Sequence, residues 1–221
     1  MAQTKVKTKQ TVNDGWVPID GTFTYASATT INVSAGAASI YSVGDKIRYQ
    51  NNDSGTYLYD YIVIIADTLL TVAGNTVPNA TLTDAYYSKI ATPLNFPHWF
   101  AYTPTITGNG GGTAPTYSSN TSYFYMLGRV ITTVIILSNA SGGTAGSGTN
   151  ILLATWPVGS PGSVAPGVGR IYESGGTQGI IYGIYWDATN MFFRLSNDTN
   201  ITLNDQSSAA RDLVCTINAR Y

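Results

Sequence analysis

Residues 44–65 read GDKIRYQNNDSGTYLYDYIVII, and this stretch decides the fold class. Its middle, residues 51–55, consists of the small polar residues and the glycine that tight turns prefer. The flanking residues are mostly β-branched or aromatic, as is typical of strands. We therefore predict a β-hairpin whose two strands are Lys46–Gln50 and Thr56–Ile65.

Neighbouring segments carry the same kind of pattern. Thr22–Tyr25 and Ile31–Val33 alternate with the period of two that half-buried strands show. Leu69–Val72 follows the hairpin and precedes a turn at Gly74-Asn75. Short strands separated by turns roughly every 8–12 residues indicate a small barrel or compact sandwich. We predict a small barrel-like β module over residues 14–90.

The second half of the chain repeats this pattern on a larger scale. Its Gly- and Ser-rich stretches 108–115, 138–150 and 158–167 are predicted loops. Strands of this number and spacing predict a jelly-roll-like antiparallel β-sandwich over residues 101–221. The predicted strands are Tyr102–Thr107, Tyr123–Met126, Val130–Leu137, Ile151–Leu153, Gly169–Tyr172, Ile180–Trp186, Met191–Leu195 and Leu213–Ala219.

Composition supports an all-β fold. Charged residues make up 10% of the chain, against about 25% in ordinary globular proteins. Soluble helices need charged residues on their exposed faces, and Glu173 is the one glutamate in the sequence. The net charge of −1 provides no field that would favour nucleic acid or an anionic membrane. We therefore expect neither nucleic-acid binding nor membrane insertion.

Two segments flank the predicted modules. Residues 1–13 form a polar arm that carries Lys5, Lys7 and Lys9 and lacks the apolar stretch of a secretory signal. Either a frayed, solvated end or an arm that docks on an acidic surface would fit this composition. Residues 91–100 form a connector in which two prolines and three large aromatic residues indicate an extended segment that packs against the protein.

Candidate catalytic chemistry is sparse. His98 and Cys215 are the one histidine and the one cysteine, so the usual zinc patterns are absent from the sequence. Glycoside cleavage needs two carboxylates beside the sugar bond, and Glu173 and Asp187 lie on or next to neighbouring predicted strands. A polysaccharide depolymerase therefore stays open as a minor alternative. We predict a protein that is not an enzyme, with no catalytic, metal-binding or cofactor-binding residues and no cofactor.

Aromatic residues are the candidate recognition elements. Tyr57, Tyr59 and Tyr61 have the i, i+2, i+4 spacing that places side chains on one face of a strand. Tyr182, Tyr185 and Trp186 form a second group. Each group is either a half-buried face of its module or an exposed surface for a glycan or another subunit. Both interpretations stay open.

Several motifs resemble those of structural proteins in tailed bacteriophages. The resemblance covers residues 14–135 well and the remainder loosely. In the first module it rests on Gly15-Trp16, Thr22 to Ser27, Tyr41 to Ile47 and Tyr86-Tyr87-Ser88. In the rest of the chain it rests on residues 95–100, Tyr102 to Gly108, Gly128-Arg129-Val130 and Trp156-Pro157, which look like parts of a β domain of phage fibre and tail proteins.

The resemblance implies a non-enzymatic virion protein that is assembled in the cytoplasm of a bacterial host. We expect a homotrimeric fibre or spike on the tail, baseplate or head, whose arm docks on other virion proteins. We expect its second module to face outward and contact a host-surface glycan or protein. The alternatives are a capsid decoration protein and a stand-alone carbohydrate- or receptor-binding module. No individual functional residue carries over from the family pattern.

Overall fold

The computed structural model describes residues 14–108, 116–141, 152–157, 163–173, 178–186, 190–195 and 211–221. Over these ranges the protein consists of curled antiparallel sheets and one short helix, so the predicted all-β class is confirmed. The chain divides into two compact units, Met1–Pro97 and His98–Tyr221. The predicted docking lysines, Lys5, Lys7 and Lys9, lie outside the described residues.

The first unit is one seven-stranded sheet with the order β1-β7-β4-β5-β6-β3-β2. Strands β4 and β5 pair antiparallel with Lys46 opposite Tyr61, which confirms the predicted hairpin. The sequence did not predict β1, β7 or the helix. The elements are β1 (Val17–Pro18), β2 (Phe23–Ser27), β3 (Thr30–Val33), α1 (Ala37–Ile40), β4 (Lys46–Asn51), β5 (Tyr57–Ala66), β6 (Leu69–Gly74) and β7 (Leu82–Ser88).

Alternation along the strands separates the two faces of this sheet. Ile47 and Tyr49 on β4 and Ile62 on β5 are fully buried on the inner face, together with residues of β3 and β6. Lys46, Arg48 and Gln50 alternate with the buried residues of β4 and therefore lie on the outer face. The inner face forms the hydrophobic core, and the outer face carries the candidate tyrosines.

One carboxyl group is enclosed in the first unit. Asp60 is fully buried, and the Tyr49 hydroxyl donates a 2.8 Å hydrogen bond to its Oδ2 atom. Burial raises the pKa of Asp60 well above its usual value of 3.8, and the hydrogen bond from Tyr49 opposes that rise. This carboxyl therefore keeps its proton at pH values where an exposed aspartate is ionised.

The second unit has one antiparallel sheet with the order β8-β11-β12-β17-β14-β15-β16-β13-β9, and β10 pairs with β12. Phe124 and Met126 on β11 and Ile131 and Ile135 on β12 are buried in its core. The strands are β8 (Phe100–Tyr102), β9 (Ile106–Gly108), β10 (Thr116–Asn120), β11 (Ser122–Leu127), β12 (Val130–Ser141), β13 (Leu152–Thr155), β14 (Ser163–Glu173), β15 (Gln178–Trp186), β16 (Asn190–Leu195) and β17 (Arg211–Arg220).

Three predictions for the second unit were wrong in detail. The single strand predicted at Tyr102–Thr107 is two strands, because Pro104 lies between β8 and β9 and cannot donate a ladder hydrogen bond. These two strands pair with different partners, β11 and β13. The predicted loops at 138–150 and 158–167 are partly strand, since β12 continues to Ser141 and β14 begins at Ser163. The remaining predicted strands of this unit are observed with shifted ends.

Candidate functional site

The three predicted tyrosines lie along β5 on the outer face of the first sheet. Across the pairing with β4, Tyr57, Tyr59 and Tyr61 stand opposite Gln50, Arg48 and Lys46. The rings of Tyr57 and Tyr59 are 6.3 Å apart and both residues are half-buried, whereas Tyr61 is 3% exposed. The accessible part of this row is therefore its Tyr57 end.

The Tyr61 end is covered by a structure that we call the clasp, formed by Asp14, Trp16, Leu94 and Phe96. The Trp16 indole Nε1 donates a 2.9 Å hydrogen bond to the Leu94 carbonyl oxygen. The Leu94 N–H in turn donates a 3.0 Å hydrogen bond to the Asp14 carbonyl oxygen. The Phe96 ring contacts the Trp16 ring at 6.1 Å and the Tyr61 ring at 4.9 Å. The clasp thus joins the start of the first unit to its end.

Arg48 connects the clasp to the tyrosines. Its guanidinium carbon lies 4.7 Å from the Trp16 ring centroid, 4.6 Å from that of Tyr57 and 4.5 Å from that of Tyr86. Its Nη2 atom pairs with Asp14 Oδ2 at 3.3 Å. A largely desolvated cation among three aromatic rings contributes more than an exposed one, and here it fixes the rings in place.

The accessible end of the row forms a polar corner that we call the Asp84 site, made of Gln50, Tyr57, Asp84 and Tyr86. The Tyr86 hydroxyl donates to Asp84 Oδ1 at 2.9 Å, and Gln50 Nε2 donates to Asp84 Oδ2 at 3.3 Å. The Tyr57 hydroxyl also donates to Oδ2. Asp84 itself is exposed and has a left-handed backbone with φ of 47°. Three donors thus converge on one solvent-accessible carboxylate.

Both tyrosine hydroxyls of this corner stay protonated at neutral pH. Burial raises the pKa of Tyr57 to about 12, and the hydrogen bond to Asp84 adds to this effect. The pKa of Tyr86 is raised for the same two reasons. Asp84 and Tyr86 were not predicted as site residues from the sequence. Their i, i+2 spacing was a usable signal, because it places both on one face of a strand.

A second candidate surface is the outer face of β11 and β12, which we call the apolar face. It carries Trp99, Tyr123, Tyr125, Leu127, Val130 and Val134. The Trp99 ring packs on Tyr125 with centroids 4.5 Å apart. Trp99, Leu127 and Val130 are 42%, 62% and 41% exposed. Trp99, Tyr123 and Val134 line an open apolar pocket. This surface offers dispersion and hydrophobic contacts to a partner.

The other predicted site residues are not characterised by the structure. Tyr182, Tyr185 and Trp186 lie on β15, where the backbone is described and the side chains are not. The side chain of Glu173, at the end of β14, and the whole of Asp187 lie outside the described residues. The convergence of these two carboxylates therefore stays a prediction.

Comparison of the chain with protein-family models finds no match, and comparison with curated proteins finds none either. Within the described ranges, no group of three or more His, Cys, Asp or Glu side chains is placed to hold a metal ion. In the same part of the chain, no helix has the length and apolar character to cross a membrane. The Asp84 site and the apolar face are therefore the two candidate functional surfaces among the described residues.

Proposed function

We propose that this chain is a non-enzymatic structural protein of a bacteriophage virion, a homotrimeric fibre or spike that contacts the host surface. The observation that carries the proposal is the apolar face on an all-β unit of a charge-poor chain. The sequence resemblance to tailed-phage proteins supports the virion setting. Residues 1–13 would dock on other virion proteins, and the second unit would be the head.

The apolar face is suited to self-association. Tyr123, Tyr125 and Leu127 on β11 stand opposite Val134, Thr132 and Val130 on β12, and none of these six residues is charged. Exposed apolar area of this kind is usually covered in an assembly. In closed homo-oligomers every copy contributes the same residues to the interface, so further copies of this chain are the occupants that we propose. The number of three comes from the resemblance to phage fibre proteins.

The finer architecture belongs to the same proposal. We propose that the first unit closes as a small barrel, because residues of β2 and β7 approach one another although β2 lies at the far end of the sheet order. We propose a jelly-roll-like sandwich for the second unit, supported by its long antiparallel strands and the crossover that places β17 between β12 and β14.

The test is the absolute mass of the full chain in solution, measured by light scattering. We expect a trimer for the wild type and a monomer for the double variant Leu127→Lys with Val130→Lys. Ile64→Lys is the matched control, because Ile64 is 50% exposed on the first unit and should leave the mass unchanged. A stable wild-type monomer would overturn the trimer and favour a capsid decoration or stand-alone binding module.

Docking by residues 1–13 is tested on particles. Deleting this arm should leave a folded protein of unchanged mass that no longer joins virions. Normal incorporation of the truncated protein would show that the arm does not dock.

A further inference from the structure

We infer that the Asp84 site binds a neutral sugar ring, held by hydrogen bonds to its hydroxyl groups and by contact with the two tyrosines. The inference rests on the proposed function for the source of the sugar, a host-surface glycan, and it gives the first unit a contact of its own beside that of the head formed by the second unit. The binding chemistry itself is argued from the geometry of this one corner of the first unit.

The polar groups of the site offer acceptors to the hydroxyl groups of a sugar. A carboxylate has about four acceptor positions, and the donors Gln50, Tyr57 and Tyr86 use three of those of Asp84. Gln50 also hydrogen-bonds Tyr57, and Tyr57 hydrogen-bonds Tyr86, so the donors of the corner are engaged within it. The exposed carboxylate and the remaining lone pairs of the two hydroxyl oxygens therefore lie side by side, where sugar hydroxyls can donate to them.

The site is organised before any ligand arrives. Gln50 Oε1 accepts a 2.9 Å hydrogen bond from the Gly55 N–H, which turns the amide nitrogen of Gln50 toward Asp84. The turn that contains Gly55 is fixed to β7, because the Asp53 N–H donates to Thr83 Oγ1 at 2.9 Å. Groups that are already ordered lose little conformational entropy on binding.

The aromatic rings provide the apolar part of a sugar site. Tyr57 and Tyr86 are half-buried and meet edge to face, with centroids 6.3 Å apart. Tyrosine combines an apolar ring with a polar tip, so the C–H face of a sugar can pack on the ring while its hydroxyls reach Asp84.

The charges of the site favour a neutral ligand. The Arg48 guanidinium already lies against both tyrosine rings, at 4.6 Å and 4.5 Å, so a second cation would meet a like charge there. An acidic sugar would bring its carboxylate toward Asp84 and be repelled. A neutral hexose or N-acetylhexosamine avoids both conflicts.

The experiment titrates the full chain with the methyl glycosides of glucose, galactose, mannose and N-acetylglucosamine, using ligand-observed NMR. We expect at least one glycoside to bind, and Asp84→Asn to weaken that binding at least about tenfold. Asparagine tolerates the left-handed backbone of this position, so the variant removes the charge and keeps the local backbone conformation of β7. Tyr86→Phe, which keeps the ring and loses the hydroxyl, should also weaken binding.

Asp67→Asn is the matched control, since Asp67 is an exposed aspartate whose Oδ1 accepts a 2.9 Å hydrogen bond from the Gly36 N–H. It should bind like the wild type. The inference is overturned if none of the four glycosides binds, or if Asp84→Asn and Asp67→Asn bind equally well. It is also overturned if tetramethylammonium competes for the site, because the site would then recognise a cation. A trimer that binds no sugar would contradict this inference alone, whereas a monomer that binds sugar would contradict the trimer alone.

Discussion

Replacing Asp60 with asparagine should make the first unit less sensitive to pH. Asp60 is 0% exposed, and its carboxyl group is hydrogen-bonded by the Tyr49 hydroxyl and by the backbone of Asn75. Burial raises the pKa of this carboxyl in the folded state, so folding favours its protonated form. Asparagine has nearly the same shape, never ionises and still accepts the hydrogen bond from Tyr49 through its carbonyl oxygen.

The sign of the effect follows from proton binding. Below the unfolded pKa of Asp60, near 3.8, both states hold the proton, and the free energy of unfolding differs between wild type and variant by a constant. As the pH rises above that value, the unfolded chain releases its proton while the folded chain keeps it. The wild type therefore loses up to about 1.4 kcal/mol of stability per pH unit relative to Asp60→Asn, until the pH passes the folded pKa.

Hydrogen exchange under increasing urea measures this difference, read by mass spectrometry at peptides that cover β4 and β5. These peptides report the first unit without the second. Measuring both proteins from about pH 3 to about pH 9 cancels the contributions of all other titrating groups, which the two proteins share. A difference that stays constant over this range would refute the reasoning, and so would a wild type that gains stability relative to the variant as the pH rises.

Two further predictions concern the clasp. Gly15→Ala should destabilise the first unit by more than Gly55→Ala. Both glycines have left-handed backbones, but a Cβ at residue 15 would lie 2.9 Å from Cγ1 of Ile90, while a Cβ at residue 55 meets nothing within 4 Å. Urea unfolding of both variants checks this, and equal losses of stability would show that crowding at residue 15 is unimportant. Trp16→Ala should lower the free energy of unfolding by about 3–5 kcal/mol. Trp16→Phe should lower it by less, because phenylalanine loses the hydrogen bond to Leu94 but keeps most of the ring contacts. Equal free energies of unfolding for the two variants would contradict this.

The sequence pattern predicted those strands that pair with a neighbour close in sequence. The hairpin of β4 and β5 followed from a turn sequence flanked by β-branched and aromatic residues, and β2 and β3 followed from alternation. The helix α1 was missed because four residues show no helical period, and its N-cap, Gly36, makes no side-chain capping bond. The pairing of β7 with β4 was also missed, since contacts distant in sequence leave no local signal.

The sequence likewise predicted only those features of the candidate site that depend on residues close together in the chain. Spacing placed Tyr57, Tyr59 and Tyr61 on one face but gave no information on what covers that face. The cover comes from Trp16 and Phe96, each more than 30 residues away, and the contact of these two rings joins segments that are distant in sequence. The carboxylate of Asp84 was missed for the same reason, because its donors come from two other positions along the chain.

The clasp also determines how the first unit responds to tension. Because the Leu94 N–H is hydrogen-bonded to the Asp14 carbonyl oxygen, a force applied between residues 14 and 94 acts on two points that lie close together. The load is then carried by the Trp16 indole bond and by the rings around Arg48, which resist separation together. We therefore expect the strands of the core to bear force only after these contacts break. Trp16→Ala should accordingly lower the unfolding force in single-molecule pulling, and an unchanged force would show that the strands carry the load from the start. In the fibre or spike proposed above, the clasp would therefore open under load before the sheet unfolds.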